Sequence, residues 1–150
     1  MSDIVVIGTD GSEAALEAAQ RGLALVRPDV TPVIVAVAEP LDTGLLAGAS
    51  GLAGGVVSAA QIDEIEQERI KAAERVVADT QKALPVPAEG RIVDGTPGEA
   101  ICQVAEELNA VAIIVGSRGH GGIKRALLGS VSDHVVRHAK CPVVVVHANS

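Results

Sequence analysis

The stretch Ile4-Val5-Val6-Ile7-Gly8-Thr9-Asp10-Gly11-Ser12 decides the fold. Its first four residues form an unbroken apolar run, the pattern of a strand buried on both faces of a parallel sheet. Gly8-Thr9-Asp10-Gly11 ends the run, and Ser12 is a good N-cap for a helix predicted from Glu13 to Arg27. Pro28 closes that helix.

The rest of the chain repeats this alternation. A second strand is expected at Pro32 to Ala38. Glu39 to Val57 carries Gly44, Gly48, Gly51, Gly54 and Gly55 and reads as a mobile loop, either a lid or disordered. Ser58 and Gln61 match a capping box opening a long charged helix to about Leu84. A short third strand is predicted at Arg91-Ile92-Val93. Thr96-Pro97-Gly98-Glu99 then starts a helix to about Leu108, with Thr96 as N-cap, Pro97 at N1 and Glu99 at N3. The fourth strand is Val111 to Val115, ending at Gly116. A glycine-rich loop leads to a last helix from about Ser130 to Ala139, and Val143 to Val146 is the fifth strand. Such alternation implies a parallel sheet with helices on both faces.

A chain of 150 residues is expected to be one domain, residues 1–150, with a core that needs neither disulfides nor a structural metal. No internal repeat or linker divides it. Phe, Tyr and Trp are absent, so the core is built from Val, Ile, Leu and Ala, and no aromatic ring stacks on a bound base. A net charge of −7 argues against a nucleic-acid polymer or an anionic membrane as the main partner. Cys102 and Cys141 are too few and too scattered for a disulfide framework or a zinc site, and read as small buried hydrophobes. Met1-Ser2-Asp3 has no basic region before an apolar run, and no apolar stretch reaches membrane-spanning length. The expected location is the cytoplasm.

Ligands of open parallel sheets bind beyond the carboxyl ends of the strands, where the strand order reverses. If the order is 3-2-1-4-5, the reversal lies between strands 1 and 4. The loops that meet there are Thr9-Asp10-Gly11-Ser12 and Gly116-Ser117-Arg118-Gly119-His120-Gly121-Gly122. Gly116 to Ser132 contains no acidic residue but carries Arg118, Lys124 and Arg125, a local charge reversal that points to an anionic ligand. Glycines let the backbone come close to such a ligand and turn N–H groups toward it. Gly129-Ser130 opens the last helix, whose N-terminal amides and dipole favour phosphate. The Ser130 and Ser132 hydroxyls are candidate further donors. The loop is neither a Walker A motif, lacking Gly-Lys-Ser/Thr, nor a dinucleotide fingerprint, since it follows strand 4. The plain alternative is a tight turn and a capped helix.

These residues resemble the universal stress protein family. Its nucleotide-binding branch carries Gly, two residues, Gly, nine residues, then Gly-Ser or Gly-Thr. Here these are Gly116, Ser117-Arg118, Gly119, His120 to Leu128, and Gly129-Ser130. Val6-Ile7-Gly8-Thr9-Asp10-Gly11-Ser12 and Cys141-Pro142-Val143-Val144-Val145-Val146 extend the resemblance over essentially the whole chain. It implies an α/β fold of five parallel strands, a homodimer, and ATP held at the glycine loop. By position, Asp10 would lie near the nucleotide and a magnesium ion, and the Val37 backbone would read the adenine edge. Gly116, Arg118 and Gly119 would line ribose and phosphates, and Gly129, Ser130 and Val131 would hold the distal phosphates. Gly8, Thr9, Ser117 and Ser132 complete the candidate ATP site.

The remaining candidates have simpler readings. Asp10 has the alternative role of capping the first helix, which Ser12 fills more simply. His134 and His138 have zinc-ligand spacing without a third ligand, and read as a solvated helix face. The Glu64-Glu66-Glu68 and Arg69-Lys71 stretch reads as an exposed, partly paired face. No Ser-His-Asp order, paired carboxylates or base for a γ-phosphate water is evident. The expected function is therefore an ATP-binding stress-response regulator with little or no turnover. The alternatives are a slow ATPase or phosphotransferase, a sensor of AMP or a cyclic nucleotide, and a dimeric interaction protein with a structural nucleotide. Val143, Val144, Val145 and Val146 form an apolar strand near the C-terminus, and pairing with a second copy would cover it as a homodimer.

Overall fold

The computed structural model describes residues 3–38, 58–118 and 128–147. Gly119, His120, Lys124, Arg125 and the glycine-rich stretch 39–57 lie outside the described residues. The elements run β1 (Ile4–Gly8), α1 (Glu13–Leu25), β2 (Thr31–Ala38), α2 (Ala59–Ala83), β3 (Glu89–Asp94), α3 (Pro97–Glu107), β4 (Ala112–Gly116), α4 (Ser130–His138) and β5 (Val143–Val146). The five strands are all parallel and form one sheet in the order β3-β2-β1-β4-β5. Among the described residues no helix is long and apolar enough to cross a membrane.

The continuous apolar strands are explained by two cores, one on each face. Successive side chains of a strand point to opposite faces. Val5, Ile7, Ile34, Ala36, Ala112 and Ile114 pack with Ala18 and Ala19 of α1 and Ala73 and Val77 of α2. Val6, Val35, Ile113 and Val115 pack with Ile101 and Val104 of α3 and Val135 of α4. The three central strands β2, β1 and β4 therefore carry apolar residues on both faces, whereas the edge strand β3 is mostly polar. Ile7, Ile34, Ile113 and Ile114 are fully buried, and each such side chain stabilises by about 1.5–3 kcal/mol. The missing aromatic volume is offset by close approach of helix to sheet: Gly22 of α1 leaves no room for a Cβ against Ile114.

Local chemistry shifts a few boundaries. Helix α1 stops at Leu25, two residues before the expected Arg27, because Pro28 disfavours helical geometry at Arg27 and Val26 is already extended. The capping box of α2 forms, Gln61 N donating to Ser58 Oγ at 3.1 Å and Ser58 N to Gln61 Oε1 at 2.9 Å. At α3 the expected side-chain cap is absent. Thr96 instead accepts Ala100 N at its carbonyl at 2.8 Å, and Pro97 removes one orphan donor by having no N–H. Strand β3 begins at Glu89, so Gly90 belongs to a strand rather than a loop, and it lies directly beneath Val77 of α2.

Candidate nucleotide crevice

The strand order reverses between β1 and β4, which pair with Val5 opposite Ala112, Val6 opposite Ile113 and Ile7 opposite Ile114. Beyond these rungs the two strands diverge into the two expected loops. Gly116, at the end of β4, lies under the first turns of α1: a Cβ there would stand 3.3 Å from Ala18 Cβ and 3.8 Å from the Ala14 carbonyl. Gly8 is closed in likewise, since its Cβ would meet Ile101 of α3 at 2.6 Å.

The turn after β1 is held by its own side chains. Thr9 Oγ1 accepts Gly11 N at 3.1 Å, Asp10 Oδ1 accepts Ser12 N at 3.0 Å, and Ser12 Oγ accepts Ala15 N at 3.2 Å. Gly11 has φ +81°, in the left-handed region that glycine adopts without strain. Ser12 is thus the N-cap, and Asp10 fixes the turn ahead of it. Thr9 N donates to the Val35 carbonyl at 3.2 Å, which ties the turn to β2.

The junction after β4 is held across a long gap in sequence. The buried Ser117 donates its N–H to the Val146 carbonyl at 2.9 Å and accepts Gly129 N at 2.7 Å. The Ser132 hydroxyl, 1% exposed, lies 3.1 Å from both the Ser117 and Gly129 carbonyls. A Cβ at Gly129 would stand 3.1 Å from the Ser117 carbonyl and 3.6 Å from Arg118 Cα. The two ends of the segment from Arg118 to Gly129 are therefore clamped side by side. Gly129 is the N-cap of α4 and no side chain caps it, so the first-turn amides of Ser130, Val131 and Ser132 are helix-end donors. Asp133, the acidic residue of that turn, pairs with Arg137 at 3.0 Å along the helix. Ser130 is exposed, Val131 and Arg118 are half-buried.

Strand β2 supplies a third wall. It pairs with β1 only as far as Val35 opposite Gly8, yet runs on to Ala38. Main-chain groups of successive residues turn to opposite sides of a strand. The Val35 carbonyl meets Thr9 on the β1 side, so the N–H and C=O of Val37 turn to that side too, beyond the end of β1.

One residue of this wall escaped the sequence reading. Arg69 was expected on an exposed helix face, but its side chain is only 18% exposed. It donates to the Ala38 carbonyl at 2.8 Å and pairs with Glu66 at 2.7 Å and Asp94 at 3.1 Å. Glu66 above all, with Asp94, holds the guanidinium firmly charged. The signal was legible: Arg69, Ala73 and Val77 recur at intervals of four, and the last two are buried, so Arg69 stands on the inward stripe of α2.

The other candidates settle simply. His134 and His138 stack with ring centroids 4.1 Å apart, and among the described residues no group of three or more His, Cys, Asp or Glu could hold a metal. Cys102 and Cys141 pack into the core on the α3 and α4 face, where burial pushes both thiols up.

A doubly wound parallel sheet with a crevice at its switch point is a fold of the ligand-binding class. The universal stress protein family model matches residues 1–147, and the chain belongs to that family. Universal stress protein MJ0531 of Methanocaldococcus jannaschii is 32% identical over 145 residues, 95% of this chain and 80% of the relative. The structure of hypothetical protein MJ0577 superposes with a TM-score of 0.70 at 23% identity, covering 100% of this chain and 99% of that one, a likeness of fold. A universal stress protein solved in complex with cAMP gives a TM-score of 0.58 at 28% identity, with 98% of each chain covered.

Proposed function

We propose that this protein binds ATP in the crevice, as a cytoplasmic stress-response regulator with little or no turnover, folded as one nucleotide-binding domain. The observation that carries the reading is the overshoot of β2 past β1, together with the uncapped start of α4 after β4. One wall offers a main-chain donor and acceptor at Val37 for an adenine edge, and the other offers helix-end amides for phosphate. The spacing Gly116, Gly119, Gly129-Ser130 supports the ATP-binding branch of the family.

In this reading Gly116, Arg118 and Gly119 line ribose and phosphates, and the amides and hydroxyl at Gly129, Ser130 and Val131 hold the distal phosphates. Gly8 and Thr9 bound the crevice from β1, while Ser117 and Ser132 keep the loop ends together. Magnesium prefers oxygen ligands and usually takes one or two carboxylates plus phosphates. The Asp10 carboxylate, oriented by its bond from Ser12 N, fits that donor set. Two copies pair through β5, the sheet edge at Val143, Val144, Val145 and Val146. Val145→Pro removes a ladder donor and should yield monomer or insoluble protein on sedimentation.

A second reading, a sensor of a cyclic nucleotide or AMP, draws on the relative solved with cAMP. Denaturing the purified protein and identifying released nucleotides by mass spectrometry, followed by calorimetry with ATP, AMP and cAMP, separates the two. ATP is expected to bind tightest, with magnesium strengthening it. Tighter cAMP or AMP binding would favour the sensor, and no binding of any adenine nucleotide overturns both.

A further inference from the structure

We propose that Arg69 is a positioning residue that sets base selectivity, by fixing the β2 edge that carries Val37. The inference rests on the reading of Val37 as the adenine edge. Ala38 and Asp94 are partners in the parallel register of β2 and β3, the last rung of that pair. Arg69 reaches across from α2 and bridges this rung, binding the Ala38 carbonyl at 2.8 Å and the Asp94 carboxylate at 3.1 Å. Glu66, three residues back on the same helix, holds the guanidinium at 2.7 Å.

Arg69 works on the opposite side of the strand from the crevice. The Ala38 carbonyl turns away from β1, as Val37 turns toward it. Residues 36–38 have no β1 partner, so their path depends on β3 and on Arg69. Releasing the Ala38 carbonyl lets the last rung drift, and the Val37 donor and acceptor drift with it. Two hydrogen bonds to a base need placement to a few tenths of an ångström, whereas phosphate bound at α4 does not sense this strand. The Asp94 partner is 73% exposed and its pairing is worth little. The carbonyl bond matters most, and Glu66 keeps the guanidinium placed to make it. A lysine in place of Arg69 offers a point charge without the planar fork, and cannot span both acceptors in the same way.

The test measures ATP, GTP and inorganic tripolyphosphate binding by calorimetry for the wild type, Arg69→Gln and Arg69→Lys, with thermal melting alongside. The wild type should prefer ATP over GTP. Arg69→Gln should lose about tenfold in ATP affinity while tripolyphosphate stays within twofold, so the ATP preference shrinks about tenfold. Arg69→Lys should fall between the two. If Arg69→Gln does not fold, Glu66→Gln, which keeps the Ala38 bond but loosens the guanidinium, should shrink the preference by at least twofold. An unchanged preference in the folded variants, or equal losses for all three ligands, overturns the role of Arg69. A wild type that binds ATP and GTP alike overturns the Val37 reading itself.

Discussion

The turns that follow β1 and β4 leave neighbouring strands, yet their described residues are held by opposite means. Between Thr9 and Ala15 the Thr9, Asp10 and Ser12 side chains accept from amides two or three residues on. At the β4 junction the Ser132 hydroxyl reaches a carbonyl fifteen residues earlier, and Gly129 N closes on Ser117. A locally closed turn is set as soon as its few residues are ordered. A clamp between distant residues must overcome the entropy of closing its loop first. The first turn therefore closes on its own residues, whereas the Ser117, Gly129 and Ser132 clamp depends on residues brought together by the fold.

That contrast predicts unequal consequences for substitutions of similar size. Gly129→Val should have the largest effect, because its side chain would press on the Ser117 carbonyl 3.1 Å away and open the clamp. ATP affinity measured by calorimetry should fall at least a hundredfold, about 2.7 kcal/mol, with circular dichroism still showing a folded protein. Asp10→Ala should come next, through the metal rather than the turn. Mg-ATP binding is expected to weaken about tenfold and AMP binding less than twofold; equal losses for both nucleotides remove the metal role. Ser132→Ala deletes one buried hydrogen bond of the clamp, at a cost of about 1–2 kcal/mol in stability, and should lower ATP affinity about fivefold. Ser12→Ala removes the cap of α1, costing about 1 kcal/mol by urea unfolding, yet ATP affinity should stay within twofold. Should Ser12→Ala weaken ATP as much as Ser132→Ala does, the two turns are not different in kind.

The same contrast explains what could be read from the chain. The sheet is legible because β1, β4 and β5 are continuous apolar runs and α1, α2 and α3 start at recognisable N-cap and proline positions; β3, Glu89–Asp94, carries only Ile92 and Val93 as a signal. Val143 to Val146 matches β5 residue for residue, and the Ser58 and Gln61 box forms as written. Local signals failed where something else does the same work. Thr96 makes no side-chain cap bond because its carbonyl and Pro97 already organise the start of α3. The Ser117 clamp was not legible, since nothing in the spacing of Ser117, Gly129 and Ser132 says which group donates to which. Arg69 reads from its charge as part of an exposed, partly paired face; the pairing forms, with Glu66 and Asp94, but its place on the buried stripe of α2 takes it inward. The overshoot of β2 is a register, and it shows only once strands are paired.

The central claim is that one adenine nucleotide spans the crevice from the β2 edge to the start of α4. Amide nitrogen chemical shifts, followed by nuclear magnetic resonance as Mg-ATP is added, test it most directly. Val37 and the first-turn amides Ser130 and Val131 are expected to shift together and saturate at one concentration, while Gly90, beneath α2, stays still. Shifts confined to other parts of the surface, or movement at Ser130 and Val131 with none at Val37, would contradict it.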